Sequence, residues 1–537
     1  MTHLAIVLAD MSFIYRHLFF SFFIALAITP SSWANPAPAS KTALSKKSEL
    51  PPVISNAIKK SGIPLESIAI SIDKINHTNP TAQPFTSEGI VHWREQMPMN
   101  PASTMKLVTS LAAMEILGPQ YRWKTDLFTN GKIQNQTLKG DLLIKGSGDP
   151  KLIPEEINKM LLNLQSIGVK KIDGNLIFDR SAYENSVKES SFSDGEPTRA
   201  YNVAPDALLF AFNSFSFQFF PNTQNDLVLI KQSPRLANLQ IDNNLKIVDG
   251  PCVDWRKDIN MAIALQKNGT WQASFDGLFP SGCQSAHWNV VASDSDSFLL
   301  QSLIAAWEDI GGVWVKKPVI KAQALNNDFK PIVTHFGVPL YESVKDINKL
   351  SNNVMARQVL LTMALEKTGQ PGNTNNGMRI VKEWLLKNQL QMPELVIENG
   401  SGLSRIERIS SAHLNQVLLL GLNSNSKNYY LESLPIAGFD GTMKHRLLDK
   451  LHKYIPNKKE MAALEKNTAP FPQGLKKYGA YIKTGSLADV RSISGYVVSR
   501  SGNVYAVTSF INDRNAGSGR GIHDVVLSWL LDDGPIQ

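Results

Sequence analysis

Short alternating runs of apolar and polar residues open and close the chain. Residues 67–76 alternate with the period of a β-strand, and a second short strand is predicted at 89–94. Near the C-terminus, three such runs, YGAYIKTGSL, RSISGYVVSR and VYAVTSFIND, are separated by turn residues, and GIHDVVLSWLL follows with helical periodicity. We therefore expect an antiparallel sheet formed from both ends of the chain, with helices on its faces and the YGAYIKTGSL strand central or nearly so.

The middle of the chain divides into helical and β-rich parts. Helical patterns occupy 103–118, 353–367 and 378–388, and the first is predicted to be amphipathic, with Leu107, Val108, Leu111 and Met114 facing a core and Gly118 ending the helix. Residues 125–333 consist of short alternating stretches separated by Gly, Asn, Asp and Pro. The predicted fold class is α+β: a discontinuous domain at 53–124 and 334–537, a helical subdomain beside its sheet, and a β-rich insertion at 125–333 that is possibly two subdomains.

The N-terminus has the pattern of a secretory signal peptide. An apolar run at 18–28 precedes small residues at Ser32 and Ala34, which predicts a signal peptide at 1–34, with translation starting at Met1 or Met11. Eleven residues are too few to span a bilayer, which needs about 20 helical residues. An uncleaved anchor is the alternative. Residues 35–52 are predicted to form a disordered linker, and the mature chain is expected to be exported, with at most peripheral membrane association.

Composition excludes several classes of protein. The 537 residues are 43% hydrophobic and 19% charged, which excludes a mostly disordered chain and predicts two or three domains. The net charge of +8 is scattered, so nucleic-acid binding is not indicated. Cys252 and Cys283 are expected to form a disulfide in an exported protein, with two unpaired buried thiols as the alternative. Neither HExxH nor CxxC occurs, and no metal or cofactor is predicted.

Ser103 lies three residues before Lys106, where the first helical pattern begins. Residues i and i+3 share a helix face, so the hydroxyl and the amine can meet as a nucleophile and its base. The same spacing occurs at two other places, which are predicted to carry no chemistry. Residues 71 and 74 lie on a strand and point to opposite faces, whereas 424 and 427 lie in a polar loop.

Two further motifs would complete the site. Lys483, Thr484 and Gly485 lie on a predicted strand and are followed by Ser486, whereas the other KTG, at 367–369, is predicted to end a helix. Ser351 and Asn353 form an SxN motif just before a helix; the copies at 426–428 and 501–503 lie in a loop and a hairpin turn. SxxK, SxN and KTG in this order are typical of penicillin-recognising serine acyl transferases. Ser351 lies 248 positions after Ser103, which leaves room for a large insertion.

The chain resembles the penicillin-binding protein 4 family of D-alanyl-D-alanine carboxypeptidases and endopeptidases, the class C low-molecular-mass penicillin-binding proteins. The resemblance covers nearly the whole mature chain and rests on PASTMKLVTS, LIKGSGDPKL, RAYNVAPDALLFAFNSF, ENGSGLSRIERIS, LPIAGFDGTMKHR and YIKTGSLADVRSISGYV. It implies a serine β-lactamase/transpeptidase-like fold, a periplasmic location, peptidoglycan stem peptides as substrates and β-lactams as inhibitors. A non-catalytic peptidoglycan-binding protein and a β-lactamase on the same scaffold are the alternatives.

Each motif residue then has an expected role. Ser103 is the predicted nucleophile and Lys106 its base, held neutral by burial and by repulsion from Lys483. Ser351 would pass the proton to the leaving amine, and Asn353 would bind Lys106 or the substrate amide. The remaining expectations concern substrate binding: Thr484, Gly485, Ser486 and the Lys483 charge at the substrate carboxylate, the backbone N–H groups of Ser103 and Ser486 at the oxyanion, and, by resemblance, Asp194 or Glu196 at the diaminopimelate amine, with an exposed turn as the alternative there.

Overall fold

The computed structural model describes residues 49–76, 84–185, 199–321, 323, 325–452 and 478–534. The predicted signal peptide at 1–34, residues 35–48 of the predicted linker, and both Asp194 and Glu196 lie outside these ranges.

Helices and strands alternate in blocks along the described residues. The helices are α1 (Pro52–Ser61), α2 (Lys106–Leu117), α3 (Pro154–Ser166), α4 (Ser295–Asp309), α5 (Leu340–Lys349), α6 (Asn353–Thr368), α7 (Thr374–Lys387), α8 (Ser411–Asn423), α9 (Lys427–Glu432), α10 (Leu448–His452) and α11 (Arg520–Leu531). The strands are β1 (Ile68–Asn76), β2 (Thr86–Trp93), β3 (Arg122–Thr129), β4 (Lys132–Gln134), β5 (Thr137–Lys139), β6 (Leu142–Gly146), β7 (Lys171–Asp173), β8 (Leu176–Asp179), β9 (Ser214–Asn222), β10 (Leu227–Ser233), β11 (Leu239–Val248), β12 (Ile259–Leu265), β13 (Trp271–Pro280), β14 (Ala286–Val291), β15 (Val313–Trp314), β16 (Lys330–Pro339), β17 (Gly479–Leu487), β18 (Val490–Val498) and β19 (Val504–Asn512).

The two ends of the chain form one five-stranded antiparallel sheet in the order β17-β18-β19-β1-β2. This confirms the sheet predicted from both ends of the chain. The expectation that β17, which carries the KTG motif, lies at or near the centre is wrong, because β1 pairs with β19 and leaves β17 at the edge. A short loop closes part of that edge: the Ile482 N–H donates to the Pro435 carbonyl at 2.8 Å, and the Ala437 N–H donates to the Ala480 carbonyl at 2.9 Å.

Helices cover both faces of this sheet, and β1 has apolar side chains on both of its faces. Ile68, Ile70 and Ile72 join a core cluster with α1 and α11, whereas Ala69, one residue out of phase, joins the cluster formed with α2, α6 and α8. Helix α2 is not amphipathic as predicted, since every residue from Lys106 to Met114 is buried. It contacts α5, α6, α7 and α8, so its polar face is covered by helices that lie far away in sequence.

The part of the chain that lies between α2 and α5 has its own hydrophobic core. It contains the sheets β16-β3-β6-β8, β15-β7-β5-β4, β10-β9-β14 and β11-β13-β12, together with α3 and α4. Cys252 and Cys283 are joined by a disulfide here. The boundaries predicted at 124/125 and 333/334 both fall inside paired strands, β3 and β16. We keep the division into a discontinuous domain and an insertion as a proposal.

No helix in the described ranges is both long and apolar enough to cross a membrane. No cluster of three or more His, Cys, Asp or Glu side chains in the same residues could hold a metal ion.

Candidate active site

Ser103 and Lys106 meet at the start of α2. The turn Ala102–Met105 that precedes this helix is a 3₁₀ helix, in which the side chains at i and i+3 eclipse each other. The Lys106 amine lies 3.0 Å from the Ser103 hydroxyl oxygen, within hydrogen-bond distance. The predicted pairing is therefore produced by the tight turn rather than by the α-helix itself.

Lys106 is completely buried, and its amine has three oxygen partners. Besides Ser103 Oγ, it donates to Asn353 Oδ1 at 2.6 Å and to the Ser401 carbonyl. Burial lowers the pKa of Lys106 well below its ordinary value, and repulsion from Lys483 acts in the same direction. The structure thus holds an amine in a dry site against a hydroxyl that is itself partly exposed.

Lys483 and Ser351 form a second amine–hydroxyl pair. The Lys483 amine donates to Ser351 Oγ at 2.9 Å and to the Thr484 carbonyl at 2.8 Å. Burial lowers the pKa of Lys483 to about 7. Ser351 has a positive φ of 59°, and Asn352 fixes the loop by accepting a hydrogen bond from the Met355 N–H at the start of α6. Asn353 is the first residue of that helix.

The outer edge of β17 faces this cluster. Ala480 and Ile482 direct their backbone groups outward to the loop at Pro435 and Ala437. Because backbone groups alternate in direction along an antiparallel strand, Thr484 and Ser486 also direct theirs outward. The Thr484 hydroxyl donates to the Thr442 hydroxyl at 2.8 Å, and Ser486 is exposed.

Two glycines allow the backbone of Ser103 to lie against its neighbours. A Cβ on Gly485 would lie 2.8 Å from the Ser103 nitrogen and 2.2 Å from Ser492 Oγ. A Cβ on Gly402, which has a φ of +79°, would lie 1.8 Å from the Ala102 carbonyl oxygen and 2.7 Å from the Ser103 nitrogen. Gly485, predicted to bind substrate, thus lies directly behind the backbone of Ser103, the predicted nucleophile, whereas Gly402 was not predicted as a site residue.

A buried carboxylate supports the loop that binds Lys106. Glu407 Oε1 accepts hydrogen bonds from the backbone N–H groups of residues 398, 399 and 400 at 3.0, 3.1 and 3.1 Å. The next residue, Ser401, provides the carbonyl that binds the Lys106 amine. Burial raises the pKa of Glu407, and its negative charge raises the pKa of Lys106. This role of Glu407 was not predicted, because no local pattern in the sequence places its carboxylate beneath a loop that begins nine residues earlier.

A cavity of about 430 Å³ opens above these groups. Its lining combines the predicted Ser103, Ser351, Asn353, Thr484 and Ser486 with residues not predicted to bind substrate, which are Tyr201, Leu403, Arg405, Thr442, Leu487 and Ala488. Arg405 also forms an ion pair with Asp489. Lys106 and Lys483 are buried and do not line the cavity, but each amine contacts the hydroxyl oxygen of a serine that does.

The other copies of the motifs lie apart from this cluster. Ser71 is buried on β1, and Gly369 ends α6 with a φ of 67°, as predicted. The predicted polar loop is confirmed only at 424–426, because Lys427 begins α9. The expectation that nothing holds this loop is wrong, since Ser424 is buried and bonds to Glu115. Ser424 Oγ also accepts a hydrogen bond from the Ser426 N–H at 2.8 Å within the turn between α8 and α9.

The fold and the grouping of these side chains are those of a penicillin-recognising serine peptidase. The chain belongs to the D-Ala-D-Ala carboxypeptidase 3 (S13) family, whose model matches residues 72–463. It is 24% identical over 424 residues to D-alanyl-D-alanine carboxypeptidase DacB of Haemophilus influenzae, over 78% of this chain and 81% of the relative. It is 23% identical over 431 residues to a D-alanyl-D-alanine carboxypeptidase of an Actinomadura strain, over 78% of this chain and 74% of the relative.

Solved structures show the same fold. The crystal structure of penicillin binding protein 4 (dacB) from Haemophilus influenzae is similar with a TM-score of 0.64 and 22% identity, over 89% of this chain and 99% of that chain. The family and the α+β fold predicted from the sequence are confirmed.

We predict that Gly485→Ala lowers the rate of D-alanine release from a peptide ending in D-Ala-D-Ala by at least about 100-fold, since the new methyl would displace the Ser103 N–H. The rate is measured in a D-alanine assay, and circular dichroism checks the fold. Gly521→Ala is the matched control, because nothing lies within 4 Å of its Cβ position. Equal rates for the two variants would contradict the role of Gly485.

We predict that Glu407→Ala and Glu407→Gln behave differently. The alanine leaves three backbone N–H groups, one buried and two half-buried, without their acceptor and should lower the free energy of unfolding by about 2 to 3 kcal/mol. The glutamine keeps a carbonyl acceptor but removes the charge that raises the pKa of Lys106, so the acid limb of activity should move to lower pH. Thermal unfolding and a pH–rate profile measure both effects. An unmoved acid limb would show that Glu407 only braces the loop.

Proposed function

We propose that this protein is a serine DD-peptidase that acts on peptidoglycan stem peptides through an acyl-enzyme on Ser103. It releases the terminal D-alanine, cuts D-alanyl-diaminopimelate cross-links, or does both. The observation that carries the proposal is the 3.0 Å contact between the Ser103 hydroxyl and a completely buried lysine amine. A serine hydroxyl needs such a base to become a nucleophile at neutral pH.

The partners of Lys106 support its role as the base. Asn353 Oδ1 and the Ser401 carbonyl can only accept hydrogen bonds, so they take both hydrogens of a neutral amine. The remaining lone pair of the nitrogen then points to Ser103, whose hydroxyl can donate its proton to it. Burial and the nearby Lys483 favour this neutral form. Proton transfer to Lys106 then accompanies the attack of Ser103 Oγ on the substrate carbonyl carbon.

Ser351 and Lys483 lie where the leaving amine needs a proton. Lys483 donates to Ser351 Oγ, so the hydroxyl of Ser351 is free to donate toward the cavity. When the C–N bond breaks, Ser351 gives its proton to the leaving D-amino acid and recovers one through the lysines. Water then attacks the ester carbonyl while Lys106 accepts a proton from it, and Lys106 returns that proton to Ser103 Oγ as the C–O bond of the ester breaks.

We assign the binding of the oxyanion and of the substrate carboxylate to groups at the edge of β17. The backbone N–H groups of Ser103 and Ser486 bind the developing oxyanion, an arrangement supported by the glycine that lets the two segments touch. Thr484, Ser486 and the Lys483 charge bind the substrate carboxylate, and Arg405 adds a second cation to the same cavity. For the diaminopimelate amine, Asp194 or Glu196 remains our proposed partner.

β-Lactams should acylate Ser103 because they resemble the D-Ala-D-Ala end. A penicillin-binding protein 4 from Haemophilus influenzae has been solved in complex with a β-lactam, with a TM-score of 0.60 to this chain. The predicted signal peptide supports a periplasmic location, where the substrate lies.

We predict that a fluorescent penicillin labels the protein for minutes to hours, and that Ser103→Ala abolishes the label. Ser71→Ala is the matched control, since that serine belongs to an SxxK copy on β1 outside the cavity. Rapid loss of the label would support a β-lactamase, and no label on the intact protein would support a non-catalytic binding protein. Digestion of purified cross-linked muropeptides, with separation of monomers and dimers, measures endopeptidase activity.

We predict that KM for a peptide ending in D-Ala-D-Ala rises as the pH passes above about 7. Burial lowers the pKa of Lys483 to about 7, so its charge is present below that pH and is lost above it. If the charge is required, KM should rise by up to about tenfold per pH unit. A substrate with an amidated C-terminus should lack this dependence, because it has no carboxylate to bind. A pH-independent KM for the acid substrate would remove Lys483 from carboxylate binding.

A further inference from the structure

A second cavity of about 450 Å³ adjoins the active-site cavity. The two share three lining residues, which are Tyr201, Ser351 and Asn353. The second cavity therefore begins at the loop that positions Ser351 and extends away from the nucleophile toward the β10-β9-β14 sheet. Its size is within the usual range of sites for a small organic group.

The register of that sheet provides a polar wall. Ser216 on β9 pairs with Ser233 on β10 and with Asn289 on β14, so the three side chains form one row across the sheet. All three line the cavity. Their neighbours in the chain, such as Phe215 and Phe217, point to the opposite face and are buried in the core.

Among the sixteen described residues that line this cavity there is no Asp, Glu, Lys, Arg or His, whereas Arg405 lines the active-site cavity. Within the described part of the chain, the side chains of Ser216, Ser233 and Asn289 have no hydrogen-bond partner. The phenol ring of Tyr201 is about 40% exposed and stands at the junction of the two cavities. Neutral hydrogen-bonding groups beside an aromatic ring suit a neutral, hydroxyl-rich ligand.

From this juxtaposition we infer that the second cavity binds an amino-sugar unit of the peptidoglycan glycan strand while the attached stem peptide occupies the active site. The inference rests on the proposed function. The stem peptide carries carboxylates and an amine, and an uncharged site would leave them without partners at a desolvation cost. An N-acetylated sugar presents hydroxyl and amide groups that match serine and asparagine side chains.

The test compares two ligands on the Ser103→Ala protein, which cannot form the acyl-enzyme. The ligands are a stem pentapeptide and the same pentapeptide attached to its disaccharide, and titration calorimetry measures both dissociation constants. The disaccharide form should bind roughly tenfold more tightly or better, as expected for two or more additional neutral hydrogen bonds. Equal affinities would overturn the inference.

Variants then locate the difference. Asn289→Leu and Ser233→Val, each added to Ser103→Ala, should remove most of the gain for the disaccharide ligand and leave the affinity for the free peptide unchanged. Gln218→Leu is the matched control: it lies on the same face of β9, two residues from Ser216, but outside the cavity. If the variants weaken the binding of both ligands equally, the cavity binds peptide. If Gln218→Leu has the same effect as Asn289→Leu, the row of side chains is not a site. Either result overturns the inference.

The calorimetric result does not depend on whether the protein turns over a substrate. If the wild-type protein releases no D-alanine and takes no penicillin label, the proposed function fails. The calorimetric difference between the two ligands, and its loss in Asn289→Leu, would still support a sugar site in that case.

Discussion

The desolvation of one amine underlies the whole site. Lys106 is completely buried, and an isolated ammonium ion in such a place costs several kcal/mol, so burial lowers the pKa of this amine well below its ordinary value and favours the neutral form. That neutrality is useful only because the partners are fixed. In the mechanism proposed above, two acceptor oxygens, from Asn353 and Ser401, take the hydrogens of the neutral amine and leave its lone pair for Ser103. A lysine in the same helix with an exposed face would be a charged surface residue and no base.

This environment is assembled from parts of the chain that are hundreds of residues apart. Helix α2 brings Lys106, α6 brings Asn353, and the loop after α7 brings the Ser401 carbonyl. The five-stranded sheet then presents β17 to the start of α2, and the absence of a side chain at Gly485 lets the two backbones touch. Pairing between β1 and β19 joins the N-terminal and C-terminal strands into this one sheet, so the geometry of the site depends on a contact between distant parts of the chain.

The sequence could predict what is local and could not predict what is assembled. The Ser103–Lys106 pair follows from a three-residue spacing, and the strands follow from alternation, so both were predicted correctly. The edge position of β17 was not, because strand order depends on which distant strand pairs with β19. The full burial of α2 was missed for the same reason, since later helices cover its polar side. Glu407 is the clearest case. Its carboxylate binds three backbone N–H groups, and such contacts leave no pattern of side chains in the sequence.

The loop at Ser351 joins the chemistry to the rest of the substrate. A non-glycine residue with φ near 59° costs about 1 kcal/mol or more, and the loop keeps this conformation because Asn352 caps α6 immediately after it. The hydroxyl oxygen of Ser351 accepts a hydrogen bond from Lys483, and the same residue lines both cavities. A ligand that fills both cavities therefore presses on the same short segment from two sides. In the function proposed here, binding remote from the scissile bond would fix the Ser351 hydroxyl, to which we assign protonation of the leaving group. Contacts far from the reacting atoms contribute to the rate in this way.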